Sequence, residues 1–145
     1  MITTDAKHAI RTYLLQRNPV RALVGGRIYP GAAPQGGDFP RITIEGTGLE
    51  QMHHMTGASK SVEADYDINV YSLDDEDAHR IASAISAAMN GLRGKLDDLS
   101  ISYIRLETQT DETLPPTDGG EDPVYNVEQN WKLWYSESVP SFPAQ

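Results

Sequence analysis

The densest run of groups able to hold a cation or move a proton is Asp74-Asp75-Glu76-Asp77. A metal needs its carboxylates to converge, and consecutive residues of a helix point in different directions. The run precedes an apolar stripe at helical spacing, where the positive end of a helix dipole favours anions. It is expected to start a helix rather than to build a metal site. His53-His54 has no third ligand at a chelating spacing, and neighbours in a loop rarely bind metal alone, so a polar loop is expected. Asp118-Gly119-Gly120-Glu121-Asp122 has calcium-loop residue types without their regular alternation, and reads as a solvated turn. His79 follows the acidic run and reads as a surface residue. No serine stands in a nucleophile elbow. Gly25-Gly26 lacks both the spacing and the lysine of a phosphate loop. The residues therefore nominate no catalytic, cofactor-binding or metal site, and the expectation is a protein that is not an enzyme.

The elements that would position these residues follow from periodicity. Residues 4–17 repeat Ala6, Ala9, Ile10, Tyr13 and Leu14 at helical spacing, with Thr3 or Thr4 able to cap. Asn18-Pro19 ends that helix. A short turn over Val20 to Val24 is stopped by Gly25-Gly26, and Arg27-Ile28-Tyr29 reads as a short extended piece. Residues 30–40 are too rich in Pro and Gly for a regular element. Arg41 to Gly46 reads as a strand, and residues 47–60, which lack any period, as a long hairpin loop. Residues 62–71 alternate Val62, Ala64, Tyr66, Ile68 and Val70 with Glu63, Asp65, Asp67 and Asn69, the mark of a half-buried strand.

Ser72 or Asp74 can cap a second helix, whose stripe is Ala78, Ile81, Ala82, Ile85, Ala88 and Met89 and which Gly91 closes. Leu99 to Thr108 is a third strand, with a phase shift between Tyr103 and Ile104 that suggests a β-bulge. Residues 109–123 read as an acidic loop and Val124 to Tyr135 as a fourth strand. Trp131 and Trp134 fall on opposite faces of it, one for the core and one free to anchor an interface. The fold class expected is α+β. A mostly antiparallel four-stranded sheet carries two main helices on one face, with a long hairpin loop and an extended tail over 136–145. The whole of 1–145 forms a single domain. The core is expected to hold Val62, Tyr66, Ile68, Val70, Ile81, Ile85, Met89, Val127, Trp131 and Leu133.

The 145 residues contain no cysteine, which excludes disulfides and thiolate metal sites. No apolar run reaches the length of a membrane span, and the polar N-terminus lacks a signal-peptide core, so use without translocation is expected. The net charge of −9 is unevenly placed: residues 1–41 hold six Lys/Arg and two Asp/Glu, the remainder six and nineteen. Such an acidic chain is unsuited to ordinary nucleic-acid binding, which needs cations against phosphate. Surface acid also serves solubility.

The segment Ala22 to Gly46, ALVGGRIYPGAAPQGGDFPRITIEG, resembles the tail-completion, or tail-terminator, proteins of long-tailed bacteriophages, with Arg27 to Gly36 as its specific motif. Tyr66 to Gly91 looks like that family's strand and long helix, and VYNVEQNWKLWY like its last strand. The resemblance implies a structural virion protein at the tail–neck junction, assembled in the host cytoplasm. It implies a closed homo-oligomeric ring, usually a hexamer, that ends tail-tube growth and joins the tube to neck proteins. Genomic DNA would pass without tight binding. A head–tail adaptor or stopper is the neighbouring alternative, and a small metabolite-binding α+β domain the alternative from another class. For a ring, the uneven charge suggests an interface between Arg11, Arg17, Arg21 and Arg27, with Tyr29, and Glu63, Asp65, Asp67 or the 111–122 segment of the next subunit, with Trp134 as an apolar anchor. The loop bearing His53, His54 and Met55 is expected at the channel or an axial face.

Overall fold

The computed structural model describes residues 6–33, 38–52, 60–96, 99–116 and 122–137. Its element order is α1 (Ala6–Leu15), α2 (Asn18–Val24), β1 (Ile28–Pro30), β2 (Arg41–Met52), β3 (Lys60–Ser72), α3 (Asp75–Met89), β4 (Gly94–Leu96), β5 (Leu99–Leu114) and β6 (Val124–Glu137). The strands form one sheet in the order β1-β2-β3-β6-β5-β4, curled into a half-barrel. β1 runs parallel to β2, and every other pair is antiparallel.

Alternation along the strands assigns the faces. On β3, Val62, Ala64, Tyr66, Ile68 and Val70 are buried. Opposite them on β6 stand Tyr135, Leu133, Trp131 and Val127, with Gln129 in the same row. The stripe of α3, Ala78, Ile81, Ala82, Ile85 and Met89, packs on this face against β3, β5 and β6. All ten residues expected in the core are buried. Each large side chain so enclosed contributes about 1.5–3 kcal/mol relative to exposure. α1 buries Ala6, Ala9, Ile10 and Leu14 and touches both edges of the sheet, β1 with β2 on one side and β4 on the other. Met89 ends α3, and Gly91 takes φ 86°, the left-handed turn that a side chain would oppose. Its N–H bonds the Ile104 carbonyl at 2.8 Å, which ties the helix end to β5.

Several expectations are corrected here. The protein is mostly β, with six strands in a mixed sheet and three helices, not a four-stranded antiparallel sheet with two main helices. The short extended piece read over Arg27-Ile28-Tyr29 falls on the parallel edge strand, which runs Ile28–Pro30, and residues 94–96 form the opposite edge. The hairpin loop expected over 47–60 is strand as far as Met52 and again from Lys60. The acidic loop expected from 109 is strand as far as Leu114. In both places the backbone ladder continues where neither face is covered, so no hydrophobic period marks it. The bulge expected between Tyr103 and Ile104 lies just before them, as a register shift between Ile101 and Tyr103, and a second shift between Leu106 and Thr108 was not expected. The expected side-chain cap of α3 does not form. Asp74 is the N-cap residue without a side-chain bond, and the Ser72 hydroxyl accepts the Asp74 N–H at 3.2 Å.

Candidate assembly surfaces

The sheet face away from the helices is where the acidic strand residues emerge. Glu45 stands opposite Asp67 across β2 and β3, and Asp67 opposite Asn130 across β3 and β6. The Asn130 amide donates to the Asp67 carboxylate at 2.5 Å, and the Thr108 hydroxyl donates to the Asn130 carbonyl oxygen. Burial pushes the neighbouring Glu128 carboxyl above its ordinary range, and repulsion from Asp67, a hydrogen bond to it, and the charges of Glu112 and Glu45 add to the shift. Nearer the other end Lys132 gathers three carboxylates: Glu63 at 3.1 Å, Asp65 at 3.7 Å and Glu107 at 3.9 Å. The Glu63 carboxylate holds that ammonium above its usual value. Pairs this exposed contribute about 0–1 kcal/mol each; they order the face more than they stabilise it.

One aromatic ladder interrupts the acid. Trp134 and Tyr103 lie with ring centroids 6.1 Å apart. The Arg105 guanidinium sits 5.3 Å over Trp134 and that of Arg93 5.4 Å over Tyr103. Trp131, three residues away, is fully buried on the other face, as the alternation requires.

On the helix side, the four arginines expected at an interface divide into two kinds. Arg11 Nε donates to the Ile28 carbonyl at 2.8 Å, and Arg27 Nε to the Pro40 carbonyl at 2.7 Å. Both hold β1 and the segment after it within the subunit. Arg17 and Arg21 are exposed. Arg17 lies 4.6 Å over the Tyr13 ring. Among the described residues none of the four arginines forms an ion pair with Glu63, Asp65 or Asp67, which bond Lys132 or Asn130 instead. Tyr29 is half-buried on β1, opposite Thr43.

Between α1, α2 and α3 lies an apolar groove of about 310 Å³, lined by Tyr13, Val20, Ala84, Ala87 and Ala88 with Arg17 at its rim. Tyr13 closes one wall by donating its hydroxyl to the Ala88 carbonyl at 2.8 Å. The expected stripe of α3 includes Ala88 but neither Ala84 nor Ala87, which lie beside it, so its spacing did not mark this groove. Glu63 and Asp65 of the charge network were legible in the alternation of β3, whereas Lys132, which joins them from β6, was missed.

Among the described residues no group of three His, Cys, Asp or Glu side chains is arranged to hold a metal. Asp75, Glu76 and Asp77 occupy the first turn of α3. Asp77 and Glu76 bond Arg80 at 2.7 and 3.3 Å. His79 Nε2 is 2.9 Å from the Asp111 carboxylate and its Nδ1 is 4.0 Å from that of Asp75, so it joins α3 to β5. His53, His54, Met55 and residues 118–121 lie outside the described residues. A second hollow of about 340 Å³, beside β1, is polar and lined by Ala32, Arg41, Thr43, Glu45 and Tyr71 among others.

No curated protein matches the chain. A chain in the solved structure titled "Virion of native gene transfer agent (GTA) particle" has the same fold, with a TM-score of 0.67 and 16% identity over 90% of this chain and 94% of that one. A second solved chain is similar at a TM-score of 0.46 and 13% identity over 93% of this chain and 98% of that one, a likeness too slight to argue from. The family model described as "Tail completion protein gp17" matches residues 8–129, from α1 into β6 and thus through all three helices and the sheet. This chain belongs to the tail completion protein family and is a structural protein of a phage-type tail.

Proposed function

We propose that this protein is a tail terminator, a subunit of a closed ring that ends tail-tube growth at the head-proximal end and joins the tube to the neck. The observation that carries this reading is the polarity of the subunit. Arg17 and Arg21 stand exposed on the helix side without an ion pair among the described residues, while the opposite sheet face carries Glu45, Asp67, Glu112 and Glu128. A patch that meets a different patch on the next copy generates a ring when the rotation closes. Opposite charge at the two patches sets register and partner choice. The affinity itself comes from apolar contact, for which the helix groove and the Trp134–Tyr103 ladder are the available surfaces. The net charge of −9 suits a conduit that DNA crosses without adhering.

Electron microscopy of the purified protein, alone and mixed with tail tubes, tests the proposal. Rings, hexameric by the resemblance to tail terminators, at one end of tubes of uniform length support it. Binding to capsid necks with no effect on tube length would instead assign the adaptor or stopper role.

A further inference from the structure

The half-barrel has two edges, and each is closed for only part of its length. On β2 the Ile42 N–H donates to the Arg27 carbonyl at 2.9 Å, and the Ile44 carbonyl accepts the Gly31 N–H at 2.8 Å. β1 pairs no further than Ile44. From Glu45 to Met52 the strand is laddered to β3, and no described strand lies on its other side. On β5, β4 pairs only as far as Ile101. Beyond it the Ile104 carbonyl accepts the Gly91 N–H at 2.8 Å, and the Leu106 N–H donates to the Asn90 side-chain oxygen at 3.1 Å. From Glu107 to Leu114 the strand has β6 on one side and no described strand on the other. Neither open stretch contains a lysine or a proline, the usual guards of a free edge. A row of unpaired N–H and C=O groups is a template for a further strand.

The polarity of the sheet says which strand fits. β2, β3, β6 and β5 are successively antiparallel, so β2 and β5 run in opposite directions. Where the sheet continues from one copy to the next, β5 of the first meets β2 of the second antiparallel, the more stable pairing. Like edges meet only about a two-fold axis, which stops at a dimer. On both strands the residues whose main chain turns outward carry their side chains on the helix side: Ile42 and Ile44 on β2, Ile104 and Leu106 on β5. Past the bulges this phase belongs to Leu49, opposite Ala64, and to Gln109, Asp111 and Thr113, opposite Gln129, Val127 and Tyr125. Charge then selects the register. Leu49 opposite Thr113 sets Glu50 against Glu112, a like-charge pair that destabilises a ladder. Leu49 opposite Gln109 carries Asp111 and Glu112 past Gly48 into the bulged part of β2. Leu49 opposite Asp111 sets the Glu50 carboxylate against the Thr110 hydroxyl and Glu112 against Gly48, with no carboxylate facing another.

We infer that the open stretch of β2 in one copy pairs antiparallel with the open stretch of β5 in the next, Leu49 opposite Asp111, so that the sheet continues from subunit to subunit. The contact is head-to-tail, as a closed ring demands, and it rests on the ring reading proposed above. Leu49 lies in one row with Ala64, Leu133 and Ile104, and Asp111 faces Val127, six residues along β6 from Leu133. Successive copies are therefore stepped by about 20 Å along the strands, which inclines the strands to the ring axis as closure of a barrel does.

The natural chain has no cysteine, so introduced thiols report contacts without background. Glu50→Cys and Thr110→Cys, both at exposed positions, are prepared separately and their thermal unfolding is compared with wild type. Mixed and mildly oxidised, they should give a disulfide-linked dimer that neither gives alone, and the double variant should give a ladder of multimers. Independently, Leu49→Pro removes an outward N–H and leaves the ladder to β3 intact, so it should fold and weaken self-association about tenfold or more. If it fails to fold, the cysteine pair decides alone. If wild type forms rings yet the mixture gives no cross-link, this contact is overturned and the ring stands. Preferential cross-linking of Glu50→Cys to Glu112→Cys would overturn the register. If wild type forms no ring alone or on tail tubes, the ring reading falls and the contact with it. A folded Leu49→Pro variant that forms rings normally but loses attachment to tubes would give the edge to the tube protein and overturn the inference.

Discussion

Gln129, fully buried in the middle of β6, donates its side-chain amide to the main-chain carbonyl of Ala82 on α3 at 2.9 Å. The same amide reaches the Gln109 carbonyl oxygen at 2.9 Å, and its own oxygen accepts the Trp131 indole N–H at 3.1 Å. One polar side chain in the apolar row thus joins helix, neighbouring strand and core tryptophan. Gln129→Leu leaves the indole N–H unpaired in the core, which costs about 1–3 kcal/mol. Urea unfolding should show the midpoint falling with little change in slope. An unchanged midpoint would mean the bonds are replaced elsewhere.

Arg11→Ala and Arg27→Ala should lower stability by about 1–3 kcal/mol each, because each removes a charged donor from a half-buried carbonyl. Arg17→Ala and Arg21→Ala should leave the melting temperature within about 2 °C of wild type. Calorimetry of the four variants separates the groups. A large loss at Arg21 would place it with the tethers.

The raised Glu128 carboxyl makes a signed prediction about pH. The folded state holds this proton more tightly than the unfolded chain, so stability falls as pH rises from the ordinary carboxylate range through the raised folded value. Glu128→Gln should therefore melt higher than wild type at neutral pH and equally at acid pH, where both are uncharged at this position. A variant that melts lower at neutral pH would show that the ionised carboxylate is stabilising in its setting.

Purified protein should not retard duplex DNA at physiological salt. A net charge of −9 opposes the displacement of counterions from a phosphate backbone, and the exposed Arg17 and Arg21 are too few to offset it. Tight, salt-sensitive retardation in a gel would contradict the conduit reading.

Sequence periodicity reported burial faithfully and pairing poorly. The β3 alternation, the α3 stripe and the Tyr125-to-Tyr135 row of β6 were readable because each has one covered face. β2 beyond Gly46 was not, since there the strand outruns the helices; Leu49, on the nominal core side, is 55% exposed. The distal half of β5 is exposed from Glu107 to Thr113 and held by its ladder to β6. β1 and β4 are three residues each, too short to show any period. Segment charge singled out the N-terminal arginines, yet could not separate Arg11 and Arg27, consumed by carbonyls, from Arg17 and Arg21. That division depends on where β1 lies in the sheet, and an extended piece of three residues does not reveal its partner strand.

α1 precedes every other described element, but one of the two sheet edges it joins does not exist until residues 94–96 have been made. During synthesis its apolar stripe of Ala6, Ala9, Ile10 and Leu14 emerges without a complete seat. At roughly 5–20 residues per second the wait lasts on the order of several seconds. A helix far back in the sequence from β4 is thus also the piece that bridges the two edges of the half-barrel, and it cannot take its final seat until that strand is in place.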